Sequence, residues 1–209
     1  MSTSSNNKED DPILQLALFY EGNKSLPLSF CVEHPDISVI WNNCNNAYNL
    51  AYLTTKVNHV DRKLLVKSAY ACVKEVLKPN ESSYYTPDVR YVLESIEDYL
   101  ENRELTLTHK LDLVSLADTV LSRHYRNYLN ISLYYLIHLS FSNEKNSVDL
   151  FFPNCISYAG MFLVDKKDVE SHLEAMKVLA SVVREHIPCP TYQQINQSLQ
   201  DNIMKNKIG

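Results

Sequence analysis

Three glycines in 209 residues, Gly22, Gly160 and the terminal Gly209, limit what this chain can fold into more than any other feature. Glycine supplies positive φ without steric cost, and glycine-lined phosphate loops, tight hairpins and doubly wound nucleotide-binding folds all draw on it. A leucine-rich chain without it, carrying long runs of helical apolar periodicity, is expected to be all-α. The expected architecture is a single-domain multi-helix bundle or helical array of about seven to nine helices over residues 11–209. A polar, disordered tail is expected at residues 1–10. A chain of this length buries about 70% of its unfolded surface, so it needs neither disulfide nor metal for stability.

The chain is organised around two amphipathic helices between Asp61 and Glu104. In the first, Leu65, Ala69, Cys72, Val73 and Val76 share one face, while Lys63, Lys67, Lys74 and Lys78 share the other. Asp61 is its N-cap and Pro79 its stop, because a proline disfavours helical geometry in the residue before it. The second opens with Thr86 as cap and Pro87 at the first helical position, where the missing N–H costs nothing. Val89, Leu93, Ile96 and Leu100 form its apolar stripe, and Glu94, Glu97, Asp98 and Glu101 lie beside it at spacings of three and four.

Charge concentrates on this second helix. Residues 81–104 hold Glu81, Asp88, Glu94, Glu97, Asp98, Glu101 and Glu104 against Arg90 and Arg103, a net of −5 that equals the formal charge of the whole chain. A face with Glu94, Glu97, Asp98 and Glu101 in one row could steer a basic partner protein toward it; otherwise it is a solvated helix face. The densest cationic patch, Arg123-His124-Tyr125-Arg126, lacks the broad basic stripe that nucleic-acid binding needs.

Elsewhere the pattern predicts a short helix from Asp11–Pro12 to near Gly22. Another is capped by Asp36 and broken by the asparagines at 42–46, and a third runs from about Ala47 to Val57. A long helical pattern from Thr108 to Phe141 has a break near Arg123–Arg126. Its second half, Tyr128–Phe141, is apolar nearly all round but shorter than the ~20 residues of a bilayer span, so a buried central helix is expected and no membrane. Residues 142–155 read as a loop and Cys155–Leu163 as a short helix. Asp165 reads as the cap of a strong helix ending at Pro188, which shares the centre with Tyr128–Phe141. Thr191 caps a last helix with Ile195, Leu199 and Ile203.

Five cysteines (Cys31, Cys44, Cys72, Cys155, Cys189) are an odd number with no close pair, and the N-terminus holds no apolar run. Free thiols in a cytoplasmic setting follow as the expectation. Cys31, His34, Cys44 and His59 are chemically fit for zinc, which keeps open a small helical metal-binding protein or enzyme; ordinary buried thiols and surface histidines are the other reading. Cys155 and Cys189 are the cysteines placed for nucleophilic use. His109, His124 and His138 recur loosely on one side of the expected long helix, as a site or as capping and stacking residues.

One ordered set of segments resembles a known family. Trp41-x-x-Cys44 is followed by Asn49-Leu-Ala-Tyr-Leu53, Asp61-Arg-Lys-Leu-Leu65, Ala69-x-Ala71-Cys72, Pro87-Asp88-x-Arg90 and Glu94-x-Ile96-Glu97-x-Tyr99. This order is similar to small all-helical bacterial immunity proteins and covers residues 41–104. The chain departs from that pattern further on, being rich in Leu and Tyr where the family is rich in Ala. The resemblance implies a non-enzymatic, cofactor-free helical protein that binds a partner protein, and it carries over no catalytic residue. A secreted bacterial effector fits the same features.

Overall fold

The computed structural model describes residues 37–56, 60–78, 84–121, 127–142, 148–191, 193–195 and 197. Among them the regular structure is helical throughout, with no strand, as the scarcity of glycine requires. The elements are α1 (Ile37–Asn43), α2 (Ala47–Lys56), α3 (Arg62–Leu77), α4 (Pro87–Leu100), α5 (Leu107–Leu116) with a π-helical turn (Ala117–Leu121), α6 (Tyr128–Phe141), α7 (Val148–Asp165) and α8 (His172–His186). The expected tail at 1–10, the helix near residues 12–22 and the Arg123–Arg126 patch lie outside the described residues.

Contacts group the chain into two compact units: Met1–Cys44 with Lys56–His59 and Pro188–Gly209, and Asn45–Thr55 with Val60–Ile187. In the first, the Cys189 thiol donates to the Ile37 carbonyl at 3.8 Å. Thr191 and Gln194 make a reciprocal capping box, the Gln194 N–H donating to Thr191 Oγ1 and the Thr191 N–H to Gln194 Oε1, with Ile195 buried behind it.

The second unit is built around α6. Leu129, Leu133, Leu136, Ile137 and Leu139 are buried along one broad face of this helix, and the opposite face, with Asn130, Tyr134, Tyr135 and His138, is half-buried, so no residue of it stands fully open to solvent. It therefore packs against α7, α3, α4, α5 and the π turn. Asn127 caps its start, its side chain accepting from the Asn130 N–H at 3.3 Å, so the long pattern from Thr108 onward is two helices rather than one. At its other end, Arg62 from the start of α3 donates to the carbonyls of Leu139 at 2.6 Å and His138 at 3.1 Å. The His138 carbonyl also accepts from the Ser142 N–H at 3.0 Å, so Arg62 supplements the cap there and supplies the Leu139 carbonyl, in the last turn, with a donor.

α7 overturns the expected loop at 142–155. It runs from Val148 through Pro153 to Asp165, and Phe151, Phe152, Ile156, Ala159, Phe162 and Leu163 form its buried face. A proline inside a helix removes one backbone hydrogen bond, and this depth of apolar burial outweighs it. Asp165 is consequently not a cap but part of the last turn of α7. Lys167 adopts φ 61°, and the Asp168 and Lys167 N–H groups return to the carbonyls of Leu163 and Val164. The cap of α8 is Ser171, which accepts from the Glu174 N–H at 3.2 Å. α8 packs on α3 and α7 and leaves Leu173, Glu174, Lys177 and Val178 exposed, so α7 and α3, not α8, share the centre with α6.

Two stability outcomes follow. Leu133→Ala opens a fully enclosed cavity and costs about 2–5 kcal/mol by denaturant unfolding. Gly160 faces α8, and a Cβ there meets first the terminal methyl of Met176, the movable end of a flexible side chain. Gly160→Ala gains about 1 kcal/mol of helix propensity against that displacement, so its unfolding free energy stays within about 1 kcal/mol of wild type.

Candidate functional site

The apolar stripe of α3 fixes the direction of its opposite face. With Leu65, Val66, Ala69, Cys72, Val73 and Val76 buried, the lysine row turns outward over a groove between α3, α4 and α8. The groove has a volume of about 710 Å³. Leu64, Ala71, Leu100 and Val182 supply its apolar surface; Lys63, Lys67, Lys74 and Lys78 stand on one wall, and Glu97, Glu101 and Glu185 come from the other two helices. A second hollow of about 660 Å³ shares Tyr70, Lys74 and Glu97 with it and adds Tyr85, Arg90, Leu93 and Glu94.

The helix pair is antiparallel. Lys63 at the start of α3 donates to Asn102 just beyond the end of α4, and Lys74 near the end of α3 reaches the Tyr85 hydroxyl, ahead of α4, at 3.4 Å. Thr86 caps α4 as expected, accepting from the Val89 N–H, and Asp61 caps α3, accepting from the Lys63 N–H. Asn102, at φ 60°, ends α4 with the Arg103 N–H returned to the Asp98 carbonyl.

That turn divides the four acids read from the sequence as one row. Arg103 folds back and pairs with Asp98 at 2.7 Å and with Glu101 at 2.9 Å, so two of the four carboxylates are already matched. Glu94 and Glu97 are exposed and make no hydrogen bond or ion pair among the described residues. Glu94 lines the second hollow, whereas Glu97 lines both. The lysines divide in the same way. Lys63 lies on Asn102 and the Tyr99 ring, Lys74 on Tyr85, and Lys78 on Glu75; exposed Lys67 has no such partner among the described residues.

Tyr70 sits where the two hollows meet. Burial first, then the nearby carboxylate of Glu97, the Tyr85 hydroxyl and Glu101, push its phenol up to about 12. The α8 wall, with Val182, Glu185 and His186, is missing from the sequence reading. The available signal was the pairing of a lysine stripe and a glutamate stripe on consecutive helices, which an antiparallel hairpin turns toward one another.

The other candidates disperse. Cys31, His34 and His59 lie outside the described residues and Cys44 is buried; among the described residues no group of three or more His, Cys, Asp or Glu is placed to hold a metal ion. Cys155 stands in the middle of α7 rather than at a helix start. Burial pushes its thiol up to about 12, opposed by the Ser132 hydroxyl, so it is protonated at neutral pH and a poor nucleophile. His109 and His138 are on separate helices: His109 stacks on Tyr91 and meets Ser95 Oγ at 2.9 Å, while His138 meets Asp118 at 3.1 Å. No helix among the described residues is long and apolar enough to cross a membrane.

Comparison with models of protein families, with curated proteins and with solved structures gives no match in any of the three.

The tyrosine at the junction gives a spectroscopic handle. Because its folded pKa is raised, neutral Tyr70 contributes stability that is fully present below about pH 10 and is lost as pH rises toward about 12. The phenolate absorbance difference between wild type and Tyr70→Phe reports that titration. Glu97→Gln moves it only part of the way back toward 10, since burial is the larger cause.

Proposed function

We propose that this chain is a cytoplasmic protein-binding module, immunity-like in kind and working without a cofactor, that holds a basic partner protein against the α4 side of the groove. The reading rests on one observation: Glu94 and Glu97 are the two acids of the row with no ion pair of their own, and both line the hollows beside α3. A carboxylate with no internal cation keeps its full attraction for an incoming one, whereas Asp98 and Glu101 would have to release Arg103 first. Both acids stand on α4, which packs against α3 and α6, and a preformed helix face spends little ordering entropy on binding.

The test is capture by the tagged full chain from its source lysate, beside Glu94→Lys/Glu97→Lys and a control of equal charge change, Glu104→Lys/Asp112→Lys, outside the groove. The wild type and the control retain a stoichiometric basic protein, and the groove variant loses it by about tenfold or more, as charge reversal at a contact costs more than about 1.4 kcal/mol. Equal loss in both variants would reduce the effect to net charge. Retention in both would discard the site.

A further inference from the structure

We propose that Tyr135 and Tyr158 form an oxidative coupling site, where a one-electron oxidant joins the two rings through a carbon–carbon bond and ties α6 to α7. The groove plays no part in it.

The half-buried side of α6 meets α7 through a connected run of aromatic rings. Tyr128 stacks on Tyr158 at 6.4 Å, Tyr158 on Tyr135 at 5.6 Å, and Tyr135 meets Tyr134 edge-on at 5.2 Å. Phe151 borders Tyr135 at 6.1 Å, and His138 continues the run beyond Tyr134 at 4.5 Å. All four phenols are half-buried, so each keeps an edge at the surface, within reach of an oxidant and of the water that takes up a phenolic proton. Burial first, then the neighbouring Tyr158 and Tyr134, raises the Tyr135 phenol, which therefore holds its proton at neutral pH until it is oxidised.

Coupling takes two phenols and removes two electrons. Each ring gives up one electron and its hydroxyl proton, leaving a phenoxyl radical whose spin is shared with the carbons ortho to oxygen. Two such radicals pair in one ortho–ortho bond, and the hydrogen on each joined carbon moves to its oxygen as the ring regains aromaticity. The net loss is two hydrogens, and with a peroxidase as oxidant one hydrogen peroxide leaves as two waters.

Geometry selects the pair. Rings held in contact present each other at an effective concentration of about 1 M or more, against about 1 mM for a flexible chain. Tyr135 and Tyr158 stand on different helices with planes only 12° apart, so rotations within one rotamer well bring an ortho carbon of each together. Tyr134 and Tyr135 have closer centroids but cross at 82°, and successive side chains of a helix diverge by about 100°. Tyr128 lies farther from Tyr158 and is tilted by 24°. Phe151 has no hydroxyl and forms no phenoxyl radical.

The test is photolysis of the full chain at micromolar concentration with tris(bipyridyl)ruthenium(II) and persulfate, which takes the two electrons as it splits into two sulfates. The expected product is a monomer with blue bityrosine fluorescence, an intact mass lower by two hydrogens, and a tandem mass spectrum joining the Tyr135 and Tyr158 peptides. Tyr135→Phe and Tyr158→Phe each lower the monomer's fluorescence about fivefold or more, whereas Tyr128→Phe and Tyr134→Phe keep most of it. Every variant retains its ring, and circular dichroism verifies its fold. In concentrated urea the same product falls about tenfold or more, since only the fold holds the rings together. A different linked pair as the main product, fluorescence confined to covalent dimers, full yield from either Tyr135→Phe or Tyr158→Phe, or undiminished yield in urea overturns the proposal.

Discussion

A helix with no residue fully open to solvent has to be surrounded, and α6 imposes that requirement on the rest of its unit. Its leucines and Ile137 fill one broad buried face while its tyrosines and His138 are half-buried on the other, and α3, α4, α5, the π turn and α7 all lie against it. Each of those neighbours is amphipathic or apolar to the degree its place demands. The hydrophobic term is non-directional, and what gives the assembly its register is the polar chemistry at helix ends. Arg62 of α3 closes the final carbonyls of α6. Lys166, from the turn after α7, donates to the Val76 carbonyl at the end of α3, pairs with Asp168 at 3.1 Å and lies over the Tyr84 and Phe162 rings at 5.0 Å. Its side chain is 2% exposed, and a cation so enclosed is tolerable only with such partners around it.

The groove is a by-product of the same packing. α3 gives its apolar stripe to α6 and α7, which leaves its lysines no direction but outward; α4 and α8 then close the two sides of that face. The site's polarity is therefore coupled to the core. Any substitution that rotated α3 to improve its packing would also move the lysine wall relative to Glu97 and Glu101.

Much of this was legible in the residues. Asp61, Thr86 and Thr191 each mark a helix start by supplying an acceptor for orphan N–H groups, and each is found in that role, with Pro87 at the first position of α4. The asparagines at 42–46, read only as the break after α1, also supply the Asn46 side chain that accepts from the Tyr48 N–H at the start of α2. What was not legible depends on partners distant in sequence. Pro153 reads as a helix stop because local propensity says so, and only the surrounding core keeps α7 continuous through it. Asp165 and Ser171 are both competent caps, and the left-handed turn at Lys167 decides between them. The acidic row appeared uniform because Arg103 sits past the helix end, where nothing in the periodicity says that it folds back.

The two left-handed turns bear on the thermodynamics in another way. Asn102 and Lys167 occupy positions that glycine usually fills, and a left-handed residue with a Cβ sits about 1–2 kcal/mol above its right-handed alternative. Glycine in either place would relieve that tension but would also enlarge the set of conformations the denatured chain explores, which is worth about 0.4–1 kcal/mol in the opposite sense. The second offsets about half of the first. A protein that uses asparagine and lysine for these reversals holds its denatured ensemble narrower, and keeps, at Asn102, a carboxamide that an incoming glycine would forfeit.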